Sequence, residues 1–76
     1  MKTIDTKDCH SMFGMYVRAA RERKRLNQSD VAELLGISQS YLSYIEQGKR
    51  EIDLALAFKF CDVLDLDMRD FVNKYL

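Results

Sequence analysis

The sequence predicts an all-α fold in which five short helices form one small domain. Three observations support this: the 76-residue chain contains no proline, it has no alternating strand pattern of useful length, and glycines and capping residues fall where helices would end. A core of this size contributes only about 3 to 5 kcal/mol of stability. A second copy of the chain is therefore an expected source of further stability.

Residues 1–10 are polar and show no periodicity, so they are predicted to form a flexible N-terminal tail. The first helix is predicted over residues 11–24. Phe13, Val17 and Ala20 recur there at spacings of four and three residues, which places them on one stripe of a helix.

Capping residues set the bounds of the second and third helices. Asn27 followed by Asp30 has the pattern of an N-cap with an acidic residue at the third helical position. Gly36 ends the helix that they begin, because glycine readily adopts the left-handed conformation found at a helix C-terminus. Ser38 caps the third helix, which stops at Gly48.

Two aspartates open the last two helices. Asp53 caps a fourth helix that extends to about Leu64. Asp67, with Asp70 three residues later, caps a fifth that runs out near the C-terminus. The stripe of the fourth helix that faces the core is predicted to consist of Leu54, Ala57, Phe58, Cys61 and Leu64.

The fourth helix carries a second apolar stripe, formed by Leu56, Phe60 and Val63. A helix that is apolar on two faces needs two partners. One partner is the core of its own domain, and the other is either the fifth helix or a second subunit. The predicted dimer interface accordingly consists of Leu56, Phe60, Val63, Phe71 and Val72.

Helices two and three are joined by only three residues, Gly36, Ile37 and Ser38. This is the spacing of a helix-turn-helix, whose second helix is presented to the major groove of duplex DNA. On a helical wheel, the outer face of the third helix carries uncharged polar and aromatic side chains, with Gln39 in its exposed first turn. Such groups suit the donor and acceptor pattern of base edges; they are Ser40, Ser43, Tyr44 and Gln47.

Five short motifs run through the chain: Val17-Arg18-x-x-Arg21, Leu26-Asn27-Gln28, Val31-Ala32-x-x-Leu35-Gly36-Ile37-Ser38, Gln39-Ser40-Tyr41-Leu42-Ser43 and Ile45-Glu46-x-Gly48-Lys49-Arg50. Together they resemble the Cro/repressor helix-turn-helix family, also called the xenobiotic-response-element family. The resemblance implies a compact five-helix domain of the phage-repressor DNA-binding type over residues 11–76. It further implies a dimeric transcriptional regulator with its recognition helix at about residues 39–47.

The resemblance also implies roles for individual residues. Gln39, Ser40 and Tyr44 would read bases. Arg21 and Glu46 lie at positions that the family commonly pairs, which implies a partly buried structural salt bridge. Phosphates would be contacted by Gln28, where the helix dipole also favours an anion, and by Tyr41, Ser43, Gln47, Lys49 and Arg50.

Several of these residues have a structural alternative. Tyr41 can serve as a packing residue alone, and Tyr44 can pack on thymine methyl groups or sugars in place of a bidentate base contact. The basic run from Arg21 to Arg25 lies at a helix C-terminus. There it either offsets the helix dipole or contacts phosphate.

The charge is unevenly distributed although the formal net charge is zero. Residues 1–50 carry nine Lys/Arg and six Asp/Glu, whereas residues 51–76 carry three and six. A zero net charge taken alone argues weakly against a nucleic-acid partner. The basic excess, however, lies in the same part of the chain as the predicted recognition helix.

The sequence indicates no enzyme, metal or cofactor site. The single histidine, His10, has no Ser or Cys placed to pair with it, and the chain has neither a glycine-rich phosphate loop nor a CxxC motif. Cys9 is predicted to be an exposed thiol and Cys61 a buried core residue, and two cysteines suggest a reducing compartment. Without a long apolar run or a signal-peptide pattern, the chain is expected to be soluble and cytoplasmic.

Two functional hypotheses follow. The first is a sequence-specific, double-stranded-DNA-binding homodimer that acts as a repressor or small regulator on an inverted repeat. Its activity would depend on its own concentration, on a regulatory protein partner or on proteolysis, because the chain has no room for a ligand-sensing domain. The second is a protein-interaction module of the same fold, such as an antitoxin or accessory factor, which the near-neutral charge and the second apolar stripe favour.

Overall fold

The structure, a computed structural model, describes residues 6–76 and contains no strand within that range. Its helices are α1 (Thr6–Arg23), α2 (Gln28–Leu35), α3 (Gln39–Glu46), α4 (Leu54–Leu64) and α5 (Met68–Tyr75). The predicted all-α fold of five helices is confirmed. Among the described residues, no helix is both long enough and apolar enough to span a membrane.

Helix α1 begins earlier than the sequence predicts. Residues 6–10 were expected in the flexible tail, but the helix already starts at Thr6. Cys9 packs against the core one helical turn before Phe13, so the added segment of the helix gains burial. The predicted start at Ser11 is therefore wrong, and residues 1–5 of the predicted tail lie outside the described residues.

The predicted N-caps are present. Asn27, Ser38 and Asp53 each accept a hydrogen bond from the backbone N–H three residues later, at 2.8, 3.0 and 2.8 Å. Asp67 accepts one from the N–H two residues later, at 2.9 Å. Gly36 ends α2 in the left-handed conformation, with φ 73°. Each of these caps satisfies a backbone group that the helix itself leaves unpaired.

Helix α1 packs against α3, α4 and α5, and α2 packs against α3 and α4. The core between these helices contains an aromatic cluster, in which Phe13 contacts Phe60 and Phe71 edge-on, with ring centroids 6.0 and 5.3 Å apart. The edge-to-face geometry is favoured over direct stacking. The buried hydrophobic residues are Phe13, Tyr16, Val17, Ala20, Val31, Ala32, Leu35, Leu42, Ile45, Leu56, Ala57, Phe60, Leu64 and Phe71.

The predicted core stripe of α4 is only partly correct, because Ala57 and Leu64 are buried but Leu54, Phe58 and Cys61 are not. Leu54 is 68% exposed and Phe58 55% exposed, whereas Phe60 is completely buried. The two apolar stripes of α4 are similar in periodicity, so the sequence pattern does not decide which one faces the core. Packing of Phe60 against Phe13 decides it. The buried residues of α4 are Leu56, Ala57, Phe60 and Leu64.

This orientation also corrects the predicted dimer interface. Leu56, Phe60 and Phe71 are buried within the domain, so their side chains are not available to a second copy. Val63 is half-buried against the core, and Val72 is 45% exposed. Of the five predicted residues, Val72 is therefore the one that clearly lies at the surface.

Both cysteines are half-buried and free. This corrects the predictions that Cys9 is exposed and that Cys61 is a buried core residue. Desolvation raises the pKa of the Cys61 thiol, and the nearby Asp67 carboxylate adds to this effect. A thiol with a raised pKa is less nucleophilic at neutral pH, because the reactive species is the thiolate.

Tyr16 joins α1 to α5 by a hydrogen bond that the sequence did not predict. Its hydroxyl donates to Asp70 Oδ2 at 2.7 Å. Burial, followed by the hydrogen bond to Asp70, raises the pKa of the Tyr16 hydroxyl. The same hydrogen bond lowers the pKa of the Asp70 carboxyl. Asp70 was predicted to support the start of α5, and its side chain instead anchors that helix to α1.

Candidate nucleic-acid interface

Helix α3 has a buried inner side and a polar outer side. Leu42, Ile45 and Glu46 are buried on the inner side. On the outer side, Ser40, Tyr44 and Gln47 are exposed and Ser43 is half-buried, together with the exposed Gln39 in the first turn. The predicted polar outer face of α3 is therefore confirmed.

The outer face of α3 forms one wall of an open concavity. Gln28 at the start of α2 completes it, and the α3 residues that line it are Gln39, Ser40, Ser43 and Tyr44. All five side chains are uncharged and carry hydrogen-bonding groups. The three residues predicted to read bases, Gln39, Ser40 and Tyr44, are thus brought together with two of those predicted to contact phosphate.

Gln47 is oriented along α3 by a neighbour one turn away. Its amide Nε2 donates to Ser43 Oγ at 2.8 Å. The bond lies on the exposed surface of the helix, so it can exchange with a ligand at little cost. Ser43 and Gln47 therefore form a polar pair at the edge of the concavity.

The predicted pair of Arg21 and Glu46 is present and joins α1 to α3. Arg21 Nε donates to Glu46 Oε2 at 2.7 Å, and Arg21 Nη2 donates to Glu46 Oε1 at 3.0 Å. The side chain of Glu46 is only 3% exposed and that of Arg21 is 12% exposed. The hydrogen bond to Glu46 raises the pKa of the Arg21 guanidinium. This bidentate geometry fixes the two helices more firmly than a single contact would.

Two further groups complete the network around Glu46. Arg21 Nη1 donates to the carbonyl of Leu26 at 2.8 Å, and Gln28 Nε2 donates to Glu46 Oε1 at 3.0 Å. Gln28 therefore lines the concavity and also binds the buried carboxylate. Sequence reasoning missed this link, because nothing in the spacing of Gln28 and Glu46 indicates that they meet.

Tyr41 lies apart from the concavity. It is half-buried against the core, in a depression that it shares with residues of α4 and with Leu35, Gly36 and Ile37. The guanidinium of Arg50 lies over the Tyr41 ring, 5.3 Å from its centroid. Tyr41 thus has the packing role that the sequence left open, and its ring also holds Arg50 by a cation–π contact.

The loop between α3 and α4 carries the exposed Lys49 and Arg50. These two residues line a small depression together with His10, Gly48 and Glu51. The loop is basic at its start and acidic at Glu51. The sequence predicted phosphate contacts for Lys49 and Arg50, but it gave no indication that His10 lies beside them.

Two glycines allow α1 to approach α3 closely. A Cβ atom at Gly14 would overlap the carbonyl oxygen of Ile45, and one at Gly48 would lie 2.7 Å from Ser11 Oγ. Gly48 also has φ 75°, a conformation that favours glycine. Sequence reasoning identified Gly48 as a helix end and missed Gly14, which lies within a helix where glycine is otherwise unfavourable.

The basic run at the end of α1 divides into two parts. Arg21 forms the salt bridge with Glu46, whereas the side chains of Arg23, Lys24 and Arg25 are exposed. Arg18 forms an exposed ion pair with Glu22 at 2.8 Å.

No group of three or more His, Cys, Asp or Glu residues that could hold a metal ion occurs between residues 6 and 76.

Residues 17–71 match the model of a family described as helix-turn-helix. The chain belongs to this helix-turn-helix family. The family is of the xenobiotic-response-element type and comprises DNA-binding transcription regulators. The resemblance inferred from the sequence motifs is thereby confirmed. The family and the structural neighbours are regulatory proteins rather than enzymes.

Solved structures of two regulators share the fold. The restriction-modification controller protein C.AhdI of Aeromonas hydrophila is 31% identical, with a TM-score of 0.76 over 84% of this chain and 97% of that chain. The clp gene regulator ClgR of Corynebacterium glutamicum is 26% identical, with a TM-score of 0.81 over 87% of this chain and 70% of that chain. The comparison with curated proteins gave no significant match.

Proposed function

We propose that this helix-turn-helix protein is a sequence-specific repressor that binds duplex DNA as a homodimer, with α3 in the major groove. The observation that carries the proposal is the concavity formed by Gln28 and the outer face of α3. Its amide and hydroxyl groups match the donors and acceptors that base pairs display in the major groove. Because the side chains that line the concavity are uncharged, they suit hydrogen bonds to base edges, which differ between sequences, better than attraction to phosphates, which does not.

Charged groups beside α3 supply the second kind of contact that such binding needs. Lys49 and Arg50 follow the C-terminal end of α3 and are exposed. Phosphate contacts from such residues fix the orientation of a protein on the duplex, while base contacts select the sequence. The proposal therefore assigns base reading to Gln39, Ser40 and Tyr44, and anchoring to Lys49 and Arg50.

The comparisons favour a regulatory role. C.AhdI is a controller protein of restriction-modification, and ClgR regulates clp genes. Both align with most of this chain. A regulator that occupies its DNA site can block transcription there, which is the mechanism of repression proposed for this protein.

Replacing Gln39 by alanine is expected to weaken binding to the preferred site by about 1 to 3 kcal/mol and to relax the preference at one position of each half-site. The reason is that its side-chain amide can pair with the N6 and N7 atoms of an adenine. Because Gln39 is exposed, stability should change little. Affinities for the selected duplex and for its single-base variants give the result.

Lys49→Ala is the matched control for that experiment. A phosphate contact carries no sequence information, so this variant should bind all duplexes more weakly and show a shallower salt dependence. Measurement at two salt concentrations separates the two effects. An unchanged base preference in Gln39→Ala, combined with an altered one in Lys49→Ala, would refute the assigned roles.

The homodimer is proposed to form through exposed apolar side chains of α4. Leu54 and Phe58 lie one helical turn apart and are 68% and 55% exposed. Leu54 borders an apolar groove that α4 shares with α1 and α5, lined by Cys9, Phe13, Ile52, Met68 and Phe71 among others. Two copies related by a two-fold axis would each place the same patch against the other.

Phe58→Asp is expected to convert the dimer to a monomer, because it places a charge in the proposed contact. Sedimentation at tens of micromolar chain measures the change, and Met15→Asp serves as the control because Met15 is equally exposed on α1. Dimeric wild type should prefer an inverted repeat with half-site centres about 34 Å apart, or about 10 bp. A monomeric wild type that binds a single half-site would contradict the dimer.

The second candidate function is a protein-interaction module. The exposed pair Leu54 and Phe58 favours it, because apolar groups at the surface often mark a contact with another protein. A formal net charge of zero also fits a partner other than nucleic acid. Failure of the wild type to select any duplex would favour this function over DNA binding.

A further inference from the structure

The α3–α4 loop is tied to the beginning of α1 by a hydrogen bond across 42 positions of the sequence. The backbone N–H of Ile52 donates to His10 Nδ1 at 3.1 Å, in a partly buried setting. Ile52 lies in the segment between α3 and α4, directly before the cap of α4. Its N–H therefore depends on a side chain from a distant helix for its partner.

A second contact holds the other end of the same loop. Gly48 packs so closely on Ser11 that a Cβ atom there would lie 2.7 Å from the Ser11 hydroxyl. His10 and Ser11 are neighbours on α1, so one turn of this helix contacts the loop at Gly48 and again at Ile52. Only Lys49, Arg50 and Glu51 lie between these two anchors.

The hydrogen bond to His10 requires a particular protonation state. Nδ1 can accept a hydrogen bond only while it carries no proton, because both ring nitrogens are donors in the charged imidazolium. Histidine is the side chain that ordinarily changes charge between about pH 5 and 8. His10 is the only histidine of the chain, so a variant at this position removes every imidazole.

The charges around His10 come from the loop and from the cap of α4. The described titratable and charged neighbours are the Cys9 thiol on its own helix and, across the two depressions that His10 lines, Lys49, Arg50, Glu51 and Asp53. Helix α5 contributes only the apolar Met68 and Phe71. A proton on His10 would be repelled by Lys49 and Arg50 and attracted by Glu51 and Asp53, and it would remove the acceptor of the Ile52 N–H.

We propose that neutral His10 positions the α3–α4 loop so that Lys49 and Arg50 contact phosphate, and that its protonation releases the loop and weakens DNA binding. The inference rests on the proposed function for its DNA-binding consequence. It makes His10 a positioning residue, since its ring acts through the Ile52 N–H and not through a contact with DNA.

The test compares wild type with His10→Asn and His10→Ala between about pH 8 and pH 5.5. Asparagine places an acceptor oxygen at the same number of bonds from the backbone as Nδ1 and does not titrate. At the higher pH, His10→Asn should bind duplex like the wild type, and His10→Ala about fivefold more weakly, the factor that corresponds to one hydrogen bond of about 1 kcal/mol. At the lower pH, wild type should lose a similar factor relative to His10→Asn.

A measurement without DNA tests the hydrogen bond itself. The amide resonance of Ile52 should shift with pH in the wild type and stay constant in His10→Asn. A constant Ile52 resonance in the wild type would overturn the proposal. So would equal binding by His10→Ala and wild type at the higher pH.

The sign of the pH effect separates positioning from direct phosphate binding. If wild type gains affinity over His10→Asn as the pH falls, His10 acts as a cationic phosphate ligand and the positioning role is wrong. If no variant binds any duplex while the Ile52 amide still titrates, the proposed DNA-binding function fails, and the consequence inferred for DNA fails with it.

Discussion

Replacing Arg21 by alanine is expected to lower the free energy of unfolding by about 3 to 5 kcal/mol, the cost of leaving one member of a buried pair uncompensated. The carboxylate of Glu46, 3% exposed, would keep only the hydrogen bond from Gln28. A domain of this length has a total stability of about 4 to 11 kcal/mol. Thermal or denaturant unfolding monitored by circular dichroism should therefore show a large loss.

The chain offers a matched control for this prediction. Arg18 pairs with Glu22 on the same helix at 2.8 Å, but both side chains are more than half exposed, at 59% and 54%. Exposed pairs contribute little, so Arg18→Ala should change stability far less. The double variant of Arg21 and Glu46 should cost less than the sum of the single variants. An Arg21→Ala effect no larger than that of Arg18→Ala would show that the buried pair does not form.

Replacing Gly14 by alanine is expected to destabilise the protein, although alanine has a higher intrinsic helix propensity than glycine. Alanine inside a helix is favoured over glycine by about 1 kcal/mol. At this position, however, the new methyl group would overlap the carbonyl oxygen of Ile45, which belongs to the backbone of α3 and cannot rotate away. Overpacking of this kind costs about 1 to 3 kcal/mol or more. Denaturant unfolding of the purified variant measures the difference.

Ala19→Gly supplies the comparison for Gly14→Ala. Ala19 is exposed on the same helix, so this variant reports helix propensity alone and should lose about 1 kcal/mol. A Gly14→Ala variant that is more stable than wild type would mean that α1 and α3 are not in close contact at Ile45. In that case the close approach of Gly14 to Ile45 would not be one of the contacts that join α1 to the end of α3.

Local chemistry explains why the helix bounds of the central region were predictable. Asn27, Ser38 and Asp53 cap helices through groups only three residues away, so the information lies within a few positions of the sequence. The outer and inner sides of α3 follow in the same way from the 3.6-residue period. Neither prediction depends on how distant segments pack.

The features that the sequence did not predict all depend on packing between segments that are distant in the sequence. The choice between the two stripes of α4 is made by Phe60 meeting Phe13 of α1. The start of α1 is extended because Cys9 packs against a core that distant helices also form. The hydrogen bond between His10 and Ile52 joins positions 42 residues apart, and no periodicity within either segment indicates it.

The residues of the candidate site also include some whose position follows from local sequence and some whose position depends on the packing of distant segments. Gln39, Ser40 and Tyr44 meet in the concavity because they share one helix face, which a helical wheel places correctly. Gln28 enters it from another helix, and its bond to Glu46 connects the concavity to the buried ion pair. A change in this network can therefore reach the outer face of α3 without altering any residue on it.

Recognition of a DNA sequence by the outer face of α3 can be tested with the wild-type protein alone. The experiment is selection from a randomised duplex pool at moderate salt. We expect enrichment of one inverted repeat whose half-site centres lie about 10 bp apart, or a multiple of that distance. A recovered pool with the same sequence composition as the input would show that α3 recognises no DNA sequence.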